Sequence, residues 1–360
     1  MEQFFSKVRI ISGSGALASL ADLHIKRLLI VADPFFFENG TANHIAHTSK
    51  AECSEVFSKV APDPSVALAA EGTQMALQFQ PDTILALGGG SAMDCAKAMA
   101  YFSGLDVRFI AVPTTSGSGS EVTNFAILTH DGVKHPLVDD KLRPDIAILD
   151  SDLLQNMPPK LIADGGFDLI AHALEAWAAT GAGQFSDALA FSALRTAFSQ
   201  LPRSYAGDKS ARLPVHTAAT MAGMAFSAAG LGLCHAISHA LGGAFHTPHG
   251  RLNAILLPAV LECNAEKAGS RYADLSRQLG FSTGADPIAL RALKNGLCQL
   301  RRQLQLPDTL AAAGISPETL RQNMELLVQA VLADPCCATN PVKPEAHHVR
   351  RILHQVMGHG

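Results

Sequence analysis

The chain has 360 residues, of which 48% are hydrophobic and 17% charged, with a formal net charge of -4. That composition can bury two domains, and it lacks the basic surface that nucleic acid or an anionic membrane would require. Seven cysteines with no C-x-x-C spacing suggest neither a disulfide framework nor a thiolate zinc knuckle, and the N-terminal MEQFFSKVRIISG lacks a signal pattern, so a reduced cytosolic protein is expected.

In chain order, RLLIVAD (27–33), TILALGGG (83–90), RFIAVPTT (108–115) and PDIAILD (144–150) are compact apolar runs ending in or near Gly, Asp or Pro. They read as strands buried on both faces of a parallel sheet, and helix-forming stretches such as 65–80 separate them. An α/β nucleotide-binding domain over residues 1–159 follows from this pattern. Beyond Pro158-Pro159 the β-branched clusters disappear and long Ala- and Leu-rich segments take over, which predicts an all-helical domain over 160–360. Ser186 and Ser316-Pro317 suit helix starts. Without a long linker, the two domains are expected to pack directly, with a cleft between them. Residues 218–234 have about the length of a bilayer span, yet they are rich in Ala and Gly and run straight into histidines. A tightly packed buried helix is expected there.

Two glycine- and hydroxyl-rich loops follow predicted strands. ALGGGSAMDCAKAMA (86–100) lets the backbone approach a ligand at the start of a helix near Ser91, where unpaired N–H groups and the helix dipole favour pyrophosphate. PTTSGSGSEVTN (113–124) adds hydroxyls and backbone donors. Together they suggest a nucleotide crevice. Neither is a G-x-G-x-x-G fingerprint, and the nearest decoy, GSGALA (13–18), has no evident strand before it. Asp33, after RLLIVA, is either an acceptor for an adenosine ribose or a turn residue before Pro34.

Asp168 and His172 stand four apart on a predicted helix, and His235 and His239 repeat that spacing on another. His249 follows a Gly/Pro-containing loop. No Asp, Glu, Lys or Arg occurs from Leu213 to Gly250. Ionisable groups in so apolar a setting need a partner, and a divalent cation satisfies them together. One carboxylate with imidazoles suits Fe(II) or Zn(II).

GGGSAMD, PTTSGSGSE, GFDLIAHALEAW and GLCHAISHALGGAFHTPHG, in this order, with the ATNP turn at 338–341, resemble the iron-dependent (group III) alcohol dehydrogenase family over essentially the whole chain. Within it, LGGGSAMD, MAFSAAGLGLCHA and FHTPHG are most similar to the propanol and ethanolamine-utilisation alcohol dehydrogenases associated with bacterial microcompartments. The resemblance implies the dehydroquinate synthase-like fold: an α/β NAD-binding domain, then an all-helical metal- and substrate-binding domain. It implies metal ligation by Asp168, His172, His235 and His249, with His239 beside the nicotinamide and the reacting carbon. The diphosphate loop would comprise Gly88, Gly89, Gly90, Ser91 and Asp94, and the second cofactor loop Thr114, Thr115 and Ser118. Lys134 would be a further cofactor contact. Asp33 then implies NAD(H) rather than NADP, because a 2′-phosphate would meet a carboxylate. Fe(II), with Zn(II) as an alternative, and a homodimer or higher homo-oligomer complete the expectation. Ser118 stands where Thr is frequent, and Phe167 where Met or Val is more usual.

The uncharged stretch 213–250 offers no Arg or Lys for a phosphorylated or carboxylated substrate. A short aliphatic alcohol or aldehyde is expected, with Phe226, Leu233 and Phe245 lining its pocket and His246 nearby. Three alternatives stand beside it: a glycerol or other polyol dehydrogenase, a dehydroquinate synthase, and a catalytically silent microcompartment component. The expected location is cytoplasmic, with microcompartment enzymes as possible neighbours.

Overall fold

A computed structural model describes residues 4–130 and 133–358. Eight strands are β1 (Arg9–Gly13), β2 (Arg27–Ala32), β3 (Cys53–Phe57), β4 (Thr83–Gly88), β5 (Arg108–Pro113), β6 (Phe125–His130), β7 (Val133–Val138) and β8 (Ile146–Asp150). Six of them form a parallel sheet in the order β1-β8-β5-β4-β2-β3, and β6 and β7 form a separate antiparallel hairpin. The helices among them are α1 (Pro34–Glu38), α2 (Thr41–Thr48), α3 (Val66–Phe79) and α4 (Gly90–Ser103).

Alternation along the central strands explains the two-sided core. Leu29, Val31, Ile84, Ala86, Phe109 and Ala111 face Ala76, Phe79, Met93 and Met99 of α3 and α4. Their neighbours Leu28, Ile30, Leu85, Leu87, Ile110 and Val112 pack on the opposite side with Leu17, Leu20, Ala42 and Ile45. Strands covered on both faces carry no polar alternation, which is why these runs are continuous in sequence. Ser65 caps α3, its hydroxyl accepting the Leu68 N–H.

The remaining helices are α5 (Pro159–Ala178), α6 (Gln184–Tyr205), α7 (Arg212–Ala229), α8 (Leu233–Phe245), α9 (His249–Gln278), α10 (Asp286–Gln303), α11 (Pro317–Gln322), α12 (Met324–Ala333) and α13 (Ala346–Val356). Ser316 caps α11, whereas Ser186 lies inside α6 and accepts the Gly183 N–H from its third position. The chain divides into two compact units, Phe5–Met157 with Arg212–Gly223, and Pro158–Ala211 with the chain from Met224 onward. The first twelve residues of α7 thus group with the sheet.

Two further sequence expectations change. A strand, β1, does precede GSGALA. The loop is nevertheless no phosphate site: the Gly15 and Leu17 N–H groups donate to the Asp150 carboxylate at 3.2 and 2.9 Å, so its donors already hold an anion of the protein itself. The apolar stretch 218–234 is not one helix either. It breaks at Gly230, whose φ is 93°, and the segments Lys209–Ala229 and Leu233–Phe245 meet at 107°. Among the described residues no single helix is long and apolar enough to cross a membrane.

His216 is buried on α7, with Nδ1 3.0 Å from the Ser116 hydroxyl, and burial pushes its imidazole down from 6.5 to about 4. Between those values the unfolded chain holds a proton that the folded protein refuses, so stability rises with pH across the window and is lost on acidification. The two-and-a-half-unit span corresponds to about 3 kcal/mol. Acid titration of urea unfolding should show that dependence flattened in His216→Gln; an identical slope in the variant would contradict the assignment.

Candidate active site

Asp33, Gly88 and Thr114 lie at the carboxyl ends of β2, β4 and β5, three neighbouring strands, which is where α/β sheets take their ligands. The Thr114 N–H donates to Gly88 O at 3.0 Å, and the Asp33 N–H to Leu87 O at 3.2 Å, so the three strand ends are tied together. Gly88 has φ 152°, and a Cβ there would come within 2.6 Å of Ala92 Cβ. Only glycine lets the chain turn so tightly into α4. Gly89 and Gly90 pack beside Thr115 and Ser118 respectively. No side chain caps the α4 N-terminus where Gly90 and Ser91 begin the helix. An uncapped fourteen-residue helix opening from a glycine turn fits a diphosphate.

The remaining predicted cofactor residues are placed as follows. The Asp33 carboxylate caps α1, accepting the Phe35 N–H at 3.0 Å. Asp94 is raised by burial to about 6, against the opposing charge of Lys97. Lys134, on β7, pairs with Asp63 at 2.6 Å and adds positive charge at Asp94. Sequence reasoning missed Lys97. Its fully buried ammonium donates to Ser120 Oγ at 3.1 Å, Thr123 O at 3.1 Å, Thr123 Oγ1 at 3.0 Å and Phe125 O at 2.8 Å, binding α4 to the 113–124 loop.

The second unit gathers the histidines. Asp168 Oδ1 lies 3.9 Å from His172 Nδ1, 3.8 Å from His235 Nε2 and 3.5 Å from His249 Nε2. Three elements converge to achieve this: α5 supplies Asp168 and His172, α8 supplies His235, and His249 opens α9. These separations are too long for hydrogen bonds, and they suit donors that share one ion at about 2.0–2.2 Å each. His235 Nε2 is buried with no hydrogen-bond partner. One ligand atom each from Asp168, His172 and His235 lies within 4.8 Å of the others, so these three fit a divalent metal, and His249 Nε2 stands 3.5 Å from Asp168 at the edge of the group. His172 and His235 are 7% and 2% exposed, whereas His249 is 32% exposed and His239 21%, so the cluster is closed on one side and open on the other. Phe226 stacks on His172 with ring centroids 4.3 Å apart. His246 caps the end of α8 with φ 53° and is exposed, so it does not line the cluster.

Electrostatics follow from crowding. Burial alone would raise the Asp168 carboxyl, but the charge of His172, with His235 and His249, holds it well below the usual carboxylate range. Burial works to lower His235, yet the Glu175 carboxylate lifts it to about 9.

Several partners escaped the sequence reading. Glu175 Oε2 lies 2.5 Å from His235 Nδ1, and its Oε1 accepts the Cys234 N–H at 2.6 Å, so one carboxylate fixes both the ring and the start of α8. Asn253 Nδ2 donates to Asp168 Oδ1 at 3.0 Å. Asp334 Oδ2 lies 2.8 Å from His239 Nδ1. Asn340, in the ATNP turn, accepts the Leu233 N–H at 3.0 Å. Glu175 had a readable signal, since it falls seven residues after Asp168 and three after His172, on the same helix face. Asp334 had none, being 95 positions from its partner. Orienting carboxylates of this kind contribute about 10–100-fold to metal affinity. Chelator competition should show a loss of that size in Glu175→Gln; unchanged affinity would leave Glu175 a purely structural anchor.

Residues 7–151 match the iron-containing alcohol dehydrogenase model, and residues 162–357 match the C-terminal model of the Fe-containing alcohol dehydrogenase family. The chain belongs to the iron-containing alcohol dehydrogenase family. It is 39% identical to 1-propanol dehydrogenase PduQ of Salmonella typhimurium, over 99% of this chain and 100% of that protein. It is 35% identical to an NADPH-dependent butanol dehydrogenase of Clostridium saccharobutylicum, covering 95% of this chain and 94% of the relative. The crystal structure of the iron-containing alcohol dehydrogenase of Thermococcus thioreducens superposes with a TM-score of 0.91 at 34% identity, covering 98% of this chain and 99% of the other. A parallel-sheet N-terminal part and a largely helical C-terminal part are thus the fold of this enzyme family.

Proposed function

We propose that this family member is an NAD(H)- and metal-dependent dehydrogenase that interconverts short aliphatic aldehydes and primary alcohols, propionaldehyde with 1-propanol or acetaldehyde with ethanol. The observation that carries the reading is the histidine cluster itself: one carboxylate is approached by three imidazoles, with a buried unpartnered Nε2, and the segment 224–250 that brings His235 and His249 contains no Lys or Arg. Asp168, His172, His235 and His249 would hold Fe(II), or Zn(II). When bound, such an ion supplies Lewis-acid polarisation of a substrate oxygen.

The chain's own groups do the rest. Glu175 and Asn253 hold His235 and Asp168 in place. With the Nδ1–H of His239 committed to Asp334, Nε2 is the atom through which His239 exchanges a proton with the substrate oxygen. Phe226, stacked on His172, favours an apolar substrate over a polyol. Gly88, Gly89, Gly90, Ser91, Asp94, Thr114, Thr115, Ser118 and Lys134 would hold the cofactor, and Asp33 would select against a 2′-phosphate. From the sequence resemblance we also propose a cytoplasmic homodimer or higher homo-oligomer, with microcompartment enzymes as neighbours.

The test is a cofactor and substrate panel. Faster turnover of propionaldehyde and acetaldehyde than of dihydroxyacetone, with NADH preferred to NADPH, is expected. Asp33→Ser keeps a capping oxygen for α1 but removes the charge, and should raise the NADPH/NADH ratio of kcat/KM by about tenfold, because a like-charge clash of about 1.4 kcal/mol is relieved. Preferential turnover of the polyol pair, glycerol and dihydroxyacetone, would overturn the substrate assignment.

A further inference from the structure

A second group of donor atoms lies beside the first. It consists of His239 on α8 with Asp334 and Cys336, which sit in the turn after α12. One nitrogen, one oxygen and one sulfur from these residues lie within 4.8 Å of one another. The turn is already wrapped around the carboxylate: Asp334 Oδ1 accepts the Cys336 N–H at 2.8 Å, while Oδ2 lies 2.8 Å from His239 Nδ1. No backbone rearrangement is needed to bring thiol and imidazole to the same carboxylate. All three residues are half-buried, reachable by an ion and partly shielded from water. The donors also differ in kind from the oxygen and nitrogen set around Asp168, because a sulfur is included.

We propose that His239, Asp334 and Cys336 form a second metal site, selective for a thiophilic divalent cation such as Zn(II). The ion accepts lone pairs from His239 Nδ1, whose proton shifts to Nε2, from a carboxylate oxygen and from the Cys336 sulfur, and the thiol proton leaves to solvent. Thiolate and carboxylate then balance the two positive charges. Burial, with the Asp334 carboxylate adding to it, pushes the Cys336 thiol well above its ordinary range. A site with a sulfur donor selects a cation with strong affinity for sulfur, which excludes magnesium and calcium. An ion held there occupies His239 and withdraws it from proton exchange. That consequence rests on the function proposed above; the binding itself does not.

Cobalt(II) titrated into chelator-stripped protein is the probe. Cobalt bound to sulfur gives a near-ultraviolet charge-transfer absorption that the Asp168 cluster, lacking sulfur, cannot produce. The band is expected in the wild type and in Asp168→Asn, Cys234→Ala and Cys337→Ala, and Zn(II) should discharge it. Cys336→Ala should abolish the band while still binding a sulfur-free cobalt equivalent, which also reports an intact fold. No band in the wild type, or a band that survives in Cys336→Ala, would overturn the proposal. In Asp168→Asn the sulfur-free equivalent should disappear while the band stays; a band lost together with it would overturn a separate second site.

Discussion

Asp168→Asn is expected to strip iron from the histidine cluster and to lower kcat/KM for aldehyde reduction by at least about 1000-fold, since a Lewis acid supplies several kcal/mol of transition-state charge stabilisation. Asp168 is the one anionic donor among the four, and its Oδ1 is the point on which three imidazoles converge at 3.5, 3.8 and 3.9 Å. The asparagine keeps the size of the side chain and an oxygen that can accept from Asn253. An unchanged circular-dichroism spectrum would therefore separate loss of metal from loss of fold. Metal analysis of the purified variant decides the matter, and a full equivalent of iron retained by it would contradict the assignment of Asp168.

Gly250→Ala should be the most damaging small substitution next to this cluster. Gly250 follows His249 in the first turn of α9, and a Cβ there would overlap the Asp164 carbonyl oxygen and come within 2.6 Å of the Asp164 carbonyl carbon. The obstacle is backbone of α5, not a side chain that can swing aside. Relief requires α5 and α9 to separate, which pulls His249 from Asp168 and strains the paired bonds from Arg251 to Asp164, at 3.2 and 2.7 Å. Overpacking of this kind costs about 3 kcal/mol. Urea unfolding of the metal-free variant measures that cost, and weakened metal binding should accompany it. A wild-type midpoint would show that the two helices are not held in contact there.

The central strands were readable because burial on both faces leaves a continuous apolar signature. RLLIVA, TILALG and RFIAVP carry it. β1 and β3 form the sheet edges, and their half-exposed RIISG and CSEVF carry too few buried apolar residues to announce themselves. The helix break at Gly230 was written in the GLG of residues 230–232, but an apolar run on both sides concealed it. Of the site, the four-residue spacings of Asp168 with His172 and of His235 with His239 were visible, since they depend only on helical geometry. Asp334 and Asn340 were not, because their partnership with α8 is made by tertiary folding across about a hundred residues.

Iron-dependent turnover tests the central claim most directly. Protein purified anaerobically and stripped with chelator should fail to oxidise NADH with propionaldehyde, and about one equivalent of Fe(II) should restore the activity, with Zn(II) reporting metal preference. A folded, NADH-binding protein that stays inactive with either metal, or one that turns over undiminished after complete metal removal, would contradict the account.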